Sequence, residues 1–209
     1  HLVAISDYVK ETIVKKYNLP ANNISVINRG IDTKYFNQII NTSIRDNIIK
    51  THHIDTAKKI ILFPARITSW KGQLEFLDVI KKMDTQNIMV LFAGDIKNEN
   101  YTKLVRDKIK QNNLEGVCKI LGSVNQDEMR SLYQVADLSV SFPLRAEGFG
   151  RTISESLYSK TPVLAFDYGG VKNQLENLSE MFKVKPQDYQ ALPAKIEKLL
   201  NLSEVQKKE

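Results

Sequence analysis

A chain of 209 residues that is 42% hydrophobic and 26% charged has the composition of an ordinary globular protein and can bury a sizeable core. No apolar run approaches the roughly 18 residues of a membrane span, no signal peptide opens the chain, and the start at His1-Leu2-Val3 without a methionine reads as a piece cut from a longer protein. The net charge of +6 comes mostly from lysine, 23 against 7 arginines, with no patch of interleaved aromatics; nucleic acid is therefore not an expected partner, whereas an anionic substrate or an anionic membrane leaflet is.

Taken in order, Ser6 stands as an N-cap for a helix over about 7–17, with Val9, Ile13 and Val14 on one face and Leu19-Pro20 ending it. Residues 24–27 read as a short strand, followed by Asn28-Arg29-Gly30-Ile31-Asp32 and Tyr35-Phe36. Residues 37–56 are polar and rich in asparagine, a surface connection with a short helix around 44–50. His52-His53 lies there without a cysteine or acidic cluster at metal-ligand spacing, and is read as surface.

From residue 58 onward strands and helices alternate. Strands are predicted at 60–65, 88–93, 117–121, 138–142, 163–166 and 182–184; helices at 71–82, 101–111, 126–135, after Gly150, at 171–177 and at 189–200. Residues 60–65 are a continuous apolar run, the mark of a strand buried on both faces. Repeated β-then-α units with right-handed crossovers call for a doubly wound parallel sheet, so the fold class is α/β, a single Rossmann-like domain over 1–209. The lone cysteine, Cys118, sits in an apolar run; it reads as a buried structural thiol in a reducing, cytoplasmic setting.

Ligands of such sheets bind beyond the carboxyl ends of the strands. Those ends carry Arg66-Ile67-Thr68-Ser69-Trp70-Lys71-Gly72, Gly94-Asp95, Gly122-Ser123-Val124, Pro143 to Gly150, and Asp167-Tyr168-Gly169-Gly170. Glycine and charge thus gather on one rim. Around Gly148-Phe149-Gly150 a backbone can approach a ligand closely, and the helix starting near Arg151 turns free N–H groups toward the same point, where an anion is favoured. Glu147 and Glu155 add carboxylates suited to sugar hydroxyls, and Arg66 with Lys71 suits a diphosphate. The combination points to a phosphorylated sugar. Trp70 is expected to pack rather than to line the site.

Glu147 and Glu155, with seven residues between them and the first in Glu-Gly-Phe-Gly, resemble the Glu-x7-Glu element of retaining glycosyltransferases of the GT-B fold, family GT4 (glycosyl transferases group 1). Arg66…Lys71-Gly72 is similar to that family's Arg…Lys-Gly segment, and residues 28–36 resemble the segment that opens its C-terminal domain. The resemblance implies that Glu147 and the backbone of Gly148, Phe149, Gly150, Arg151 and Thr152 hold the donor sugar. It places Glu155 on the nucleotide ribose, Arg66 and Lys71 on the leaving diphosphate, and Gly94, Gly122 and Val124 against the base. Glu147, Arg66 and Lys71 are the implied catalytic residues. Two positions depart from the family pattern: Asn173 stands where a glutamate is frequent, and Ser156 replaces an alanine.

The implied protein is the donor half of a metal-independent, retaining hexosyltransferase, with no cofactor beyond a UDP- or GDP-linked sugar as substrate. Its own N-terminal acceptor domain would be absent from this chain, leaving the fragment inactive alone, and that domain would bring it to the inner face of a membrane. A non-catalytic nucleotide-sugar module, or another GT-B enzyme such as an epimerase, remains the alternative. No Asp-x-Asp, P-loop or complete Gly-x-Gly-x-x-Gly is present.

Overall fold

The computed structural model describes residues 1–38 and 41–203; residues 39 and 40 of the expected polar connection lie outside the described residues. The chain runs β1 (Leu2–Ala4), α1 (Asp7–Tyr17), β2 (Ile24–Val26), α2 (Thr33–Asn37), α3 (Thr42–Thr51), β3 (Lys59–Pro64), α4 (Gln73–Ile80), β4 (Ile88–Ala93) and α5 (Glu99–Gln111). It continues through β5 (Cys118–Gly122), α6 (Gln126–Val135), β6 (Leu138–Ser141), α7 (Arg151–Tyr158), β7 (Val163–Phe166), α8 (Val171–Leu175), β8 (Lys183–Val184) and α9 (Leu192–Leu200).

Six strands form one parallel sheet in the order β5-β4-β3-β6-β7-β8. Counted from β3, this is the 3-2-1-4-5-6 order of a Rossmann fold, with its topological switch point between β3 and β6. Side chains on a strand alternate between faces, and the core divides accordingly. Ile61, Phe63, Val90 and Phe92 face α4, α5 and α9, whereas Ile60, Leu62, Met89 and Leu91 pack with Ile48 of α3 and with Leu132 and Tyr133 of α6. β4 and β7 are buried along their whole lengths, which explains why they read as unbroken apolar runs.

The strand expected at 24–27 does not enter this sheet. It pairs instead with Leu2–Ala4 as a separate two-stranded parallel sheet. A strand of three residues carries too little periodicity to be read from sequence, so its pairing went unanticipated. Ser6 caps α1 as its sequence implies, accepting from the Val9 amide at 3.2 Å, and Asn18 closes the helix in the left-handed region at φ 51°. α9 begins at Leu192, three residues later than expected, because Pro193 is favoured in a first turn and tolerated nowhere further in.

Candidate functional site

The switch point brings together the two loops that the sequence singles out. Leaving β3, the chain passes Arg66 and turns at Lys71, whose amide donates to Thr68 O at 3.0 Å. Gly72 then caps α4 at φ 87°, and a Cβ there would lie 2.1 Å from Phe142 O. Only glycine lets the α4 start press against the end of β6. Leu144 N donates to Trp70 O at 2.8 Å, joining the two loops through their backbones. Gln73, fully buried, donates from its amide to Arg66 O at 2.9 Å and so fixes the start of the loop.

The second loop is held from three sides. Gly170 N donates to Glu147 O at 2.8 Å, and a Cβ on Gly170 would sit 2.1 Å from Gly148 O, so that approach also depends on glycine. Ser6 Oγ donates to Gly148 O at 2.5 Å, which ties the first lobe to the loop. The Gln174 amide donates to Phe149 O and, at 3.2 Å, to Gly150 O. Tyr168 OH donates to Pro143 O, and burial pushes that phenol up to about 12. The sequence marks Ser6 only as an N-cap and Tyr168 only as part of a rim segment, and Gln174 not at all; these loop contacts span long separations that no local pattern records.

Between the loops lies a cavity of about 640 Å³, within the range of small-molecule sites. Arg66, Lys71, Gly94, Glu147, Gly148, Phe149, Gly150, Arg151 and Thr152 all line it. Trp70 lines it too, half-buried, with the Lys71 ammonium 4.2 Å above its ring, so the expectation of a pure packing residue is corrected. Arg29 and Ile5 form a further wall. Gly122 and Val124 are not among the residues lining this cavity, but Gly94, which is, donates from its amide to Gly122 O at 2.9 Å. Gly122 ends β5, and Val124, just beyond it, packs against the cluster around Tyr133.

Charges in the cavity are already paired in part. Lys71 Nζ bonds Glu147 Oε1, both side chains being less than one-fifth exposed. Glu155 lies behind the lining, 9% exposed, with Oε1 accepting from Arg151 at 2.9 Å and Oε2 from Tyr133 OH at 3.1 Å. Burial, and then the Glu155 charge, pushes the Tyr133 phenol well above its ordinary value, so it stays protonated as the donor. Asp95, exposed beyond β4, is held below the usual carboxylate range by its hydrogen bond to Lys97, with Ser123 and the Arg66 charge adding. Neither Gly72 nor Gly150 provides a side-chain cap, so the first turns of α4 and α7 present amides at this rim. Among the described residues, no three His, Cys, Asp or Glu side chains gather at metal-binding spacing.

Of the positions that depart from the family pattern, Asn173 donates to Asp7 Oδ2 at 2.9 Å on the surface, and Ser156 Oγ donates to Thr161 O at 3.0 Å inside the fold. No helix among the described residues is long and apolar enough to cross a membrane.

Residues 44–208 match the family model described as glycosyl transferases group 1. An uncharacterized glycosyltransferase of Methanocaldococcus jannaschii is 25% identical over 202 residues, 96% of this chain and 50% of that protein. Among solved structures, a glycosyltransferase of Rickettsia africae superposes with a TM-score of 0.85 at 30% identity, covering 94% of this chain and 52% of the other. Anabaena HepE, solved with UDP and glucose, gives 0.84 at 23% identity over 98% and 54%, a likeness of fold. The chain spans about half the length of the relatives it matches.

Proposed function

The chain belongs to the glycosyl transferases group 1 family, and from that premise we propose that its cavity binds the nucleotide-diphosphate sugar of a retaining hexosyltransferase. The observation that carries the reading is the meeting of Arg66, Lys71 and the uncapped start of α7 with Glu147 at one switch-point cavity. Cations and oriented amides suit a diphosphate, and a carboxylate beside them suits sugar hydroxyls. The UDP and glucose held by HepE, which shares this fold, agree with that assignment.

In this reading Arg66 and Lys71 take the diphosphate and stabilise it as it departs, supplying the charge that a metal ion supplies elsewhere. Gly148, Phe149, Gly150, Arg151 and Thr152 surround the transferred sugar with Glu147. Glu155 reaches the ribose from behind Arg151, its carboxylate oriented by Tyr133. The base lies toward Gly94, with Gly122, its hydrogen-bonded neighbour on β5, and Val124 as the adjoining wall.

The acceptor would be held by an N-terminal half preceding this chain, which would also make any membrane contact. The β1–β2 pair supports that partner. Leu2 and Val3 of this two-stranded sheet and Ile27 just beyond it are 45%, 57% and 62% exposed, and a sheet of that size is marginal without further packing. The isolated chain should bind donor without transferring sugar, because no acceptor is positioned and water reaches the cavity.

A thermal-shift panel of UDP, GDP, ADP and their glucose conjugates tests this reading. A rise in melting temperature with one base, larger for its sugar conjugate and unchanged by EDTA, is expected. No shift with any member at millimolar concentration would refute donor binding. For the full-length protein, NMR of the product anomer tests retention.

A further inference from the structure

One wall of the cavity does not come from the Rossmann-like core. Arg29 sits between β2 and α2, outside the segment 44–208 that the family model matches, yet its exposed side chain lines the same cavity as Glu147 and Arg66. The link that carries it is pinned at both ends. Upstream, Ile27 N donates to Ala4 O at 2.9 Å. Downstream, Asp32 caps α2 by accepting from Tyr35 N at 2.9 Å. α2 is itself clamped to α6: Tyr35 OH bonds Asp127, Arg130 Nη1 donates to Tyr35 O at 2.8 Å, and the guanidinium lies 4.2 Å from the Tyr35 ring centre. Arg29 is therefore held at the cavity by a short span between two fixed points.

The charges show what it faces. Arg29, Arg66, Lys71 and Arg151 are the cations of the lining. Lys71 is paired with Glu147, and Arg151 with Glu155. Arg29 and Arg66 make no salt bridge among the described residues, and Asp95, which feels the Arg66 charge, is itself paired with Lys97 at 2.9 Å. Two guanidinium groups without a salt bridge thus line one cavity, and each phosphate of a diphosphate diester carries one negative charge.

Resting on the nucleotide-sugar reading, we propose that Arg29 is a diphosphate ligand that closes a two-sided guanidinium clamp with Arg66. Each fork can engage phosphate oxygens in bidentate fashion. A monophosphate fills one arm, whereas a diphosphate fills both, so Arg29 sets the preference for the diphosphate. Lys71 joins when the incoming ligand displaces Glu147 from it.

The test is calorimetric titration of the chain and of Arg29→Ala and Arg29→Lys with UDP, UMP and uridine, and with the guanine series, circular dichroism controlling for folding. Arg29→Ala should weaken the diphosphate about tenfold to a hundredfold, the monophosphate less than about threefold, and leave the nucleoside unchanged. Arg29→Lys should fall between, since it restores charge without the fork. The salt dependence of diphosphate binding should become shallower in Arg29→Ala. Diphosphate affinity within about twofold of wild type would overturn the inference alone. So would an equal loss for all three ligands, which would make Arg29 only a wall. A wild-type chain that binds neither UDP nor GDP would instead overturn the donor reading, and the inference with it.

Discussion

Replacing Glu147 by glutamine should make free UDP or GDP bind more tightly. In the unliganded chain the Lys71 ammonium is bonded to Glu147, with the side chains 16% and 12% exposed. A diphosphate that takes Lys71 must displace that carboxylate and then lie beside it. Unit charges about 7 Å apart at an effective dielectric of about 20 interact by roughly 2 kcal/mol. The open cavity admits water, so about 1–2 kcal/mol of repulsion is a fair range, or about five- to thirtyfold in affinity. The sugar nucleotide should gain less, because a neutral amide binds sugar hydroxyls more weakly than a carboxylate does. The affinity ratio of sugar nucleotide to free diphosphate should therefore fall. Folding stability should drop by about 1–3 kcal/mol as Lys71 loses its partner, and saturating UDP should recover part of it. Titration calorimetry with both ligands and urea melts with and without UDP measure all three effects. A folded Glu147→Gln variant that binds the diphosphate no more tightly than wild type would show that the ion pair does not stand in the ligand's way.

Arg66→Ala should weaken the diphosphate by about one to two decades and leave the nucleoside unchanged, the loss of a charge-assisted hydrogen bond worth roughly 1.5–3 kcal/mol; equal affinities in calorimetry would remove Arg66 from the phosphate site. Glu155→Ala should weaken free diphosphate and sugar nucleotide by similar factors, since both carry the ribose, and selective loss of the sugar conjugate alone would contradict its placement. Gly72→Ala should cost at least about 2 kcal/mol in a urea melt, from the left-handed backbone and the clash with Phe142 O, and a change under about 0.5 kcal/mol would show the junction of the two loops to be loose. Burial pushes the Cys118 thiol up to about 12, so a disulfide-exchange reagent at neutral pH should react only as the chain unfolds; rapid modification of the native protein would mean the thiol is accessible.

β3, β4 and β7 were legible because their sequences are unbroken apolar runs, and once the strands were read as parallel the glycine-and-charge rim followed. Arg66, Lys71 and the Glu147 loop could be placed together because each follows a recognisable strand. What escaped had no local signature. Arg29 was legible as part of the family-like segment 28–36, but its approach to the cavity depends on the β1–β2 pair, whose first strand has only three residues, and the hydrogen bonds of Ser6 and Gln174 to the Glu147 loop are tertiary. Trp70 was misjudged because aromatic rings pack more commonly than they line sites, whereas here the cation of its neighbour Lys71 lies over the ring at the cavity wall.

The central claim is that the switch-point cavity holds a nucleoside diphosphate, and a crystal structure of the chain with UDP or GDP tests it most directly. The account predicts phosphate oxygens within hydrogen-bonding distance of Arg66 and of the first amides of α7, with the ribose toward Glu155. A nucleotide seated elsewhere, such as the acidic cleft between Asp7, Glu11 and Glu176, or one whose phosphates turn away from Arg66 into solvent, would contradict it.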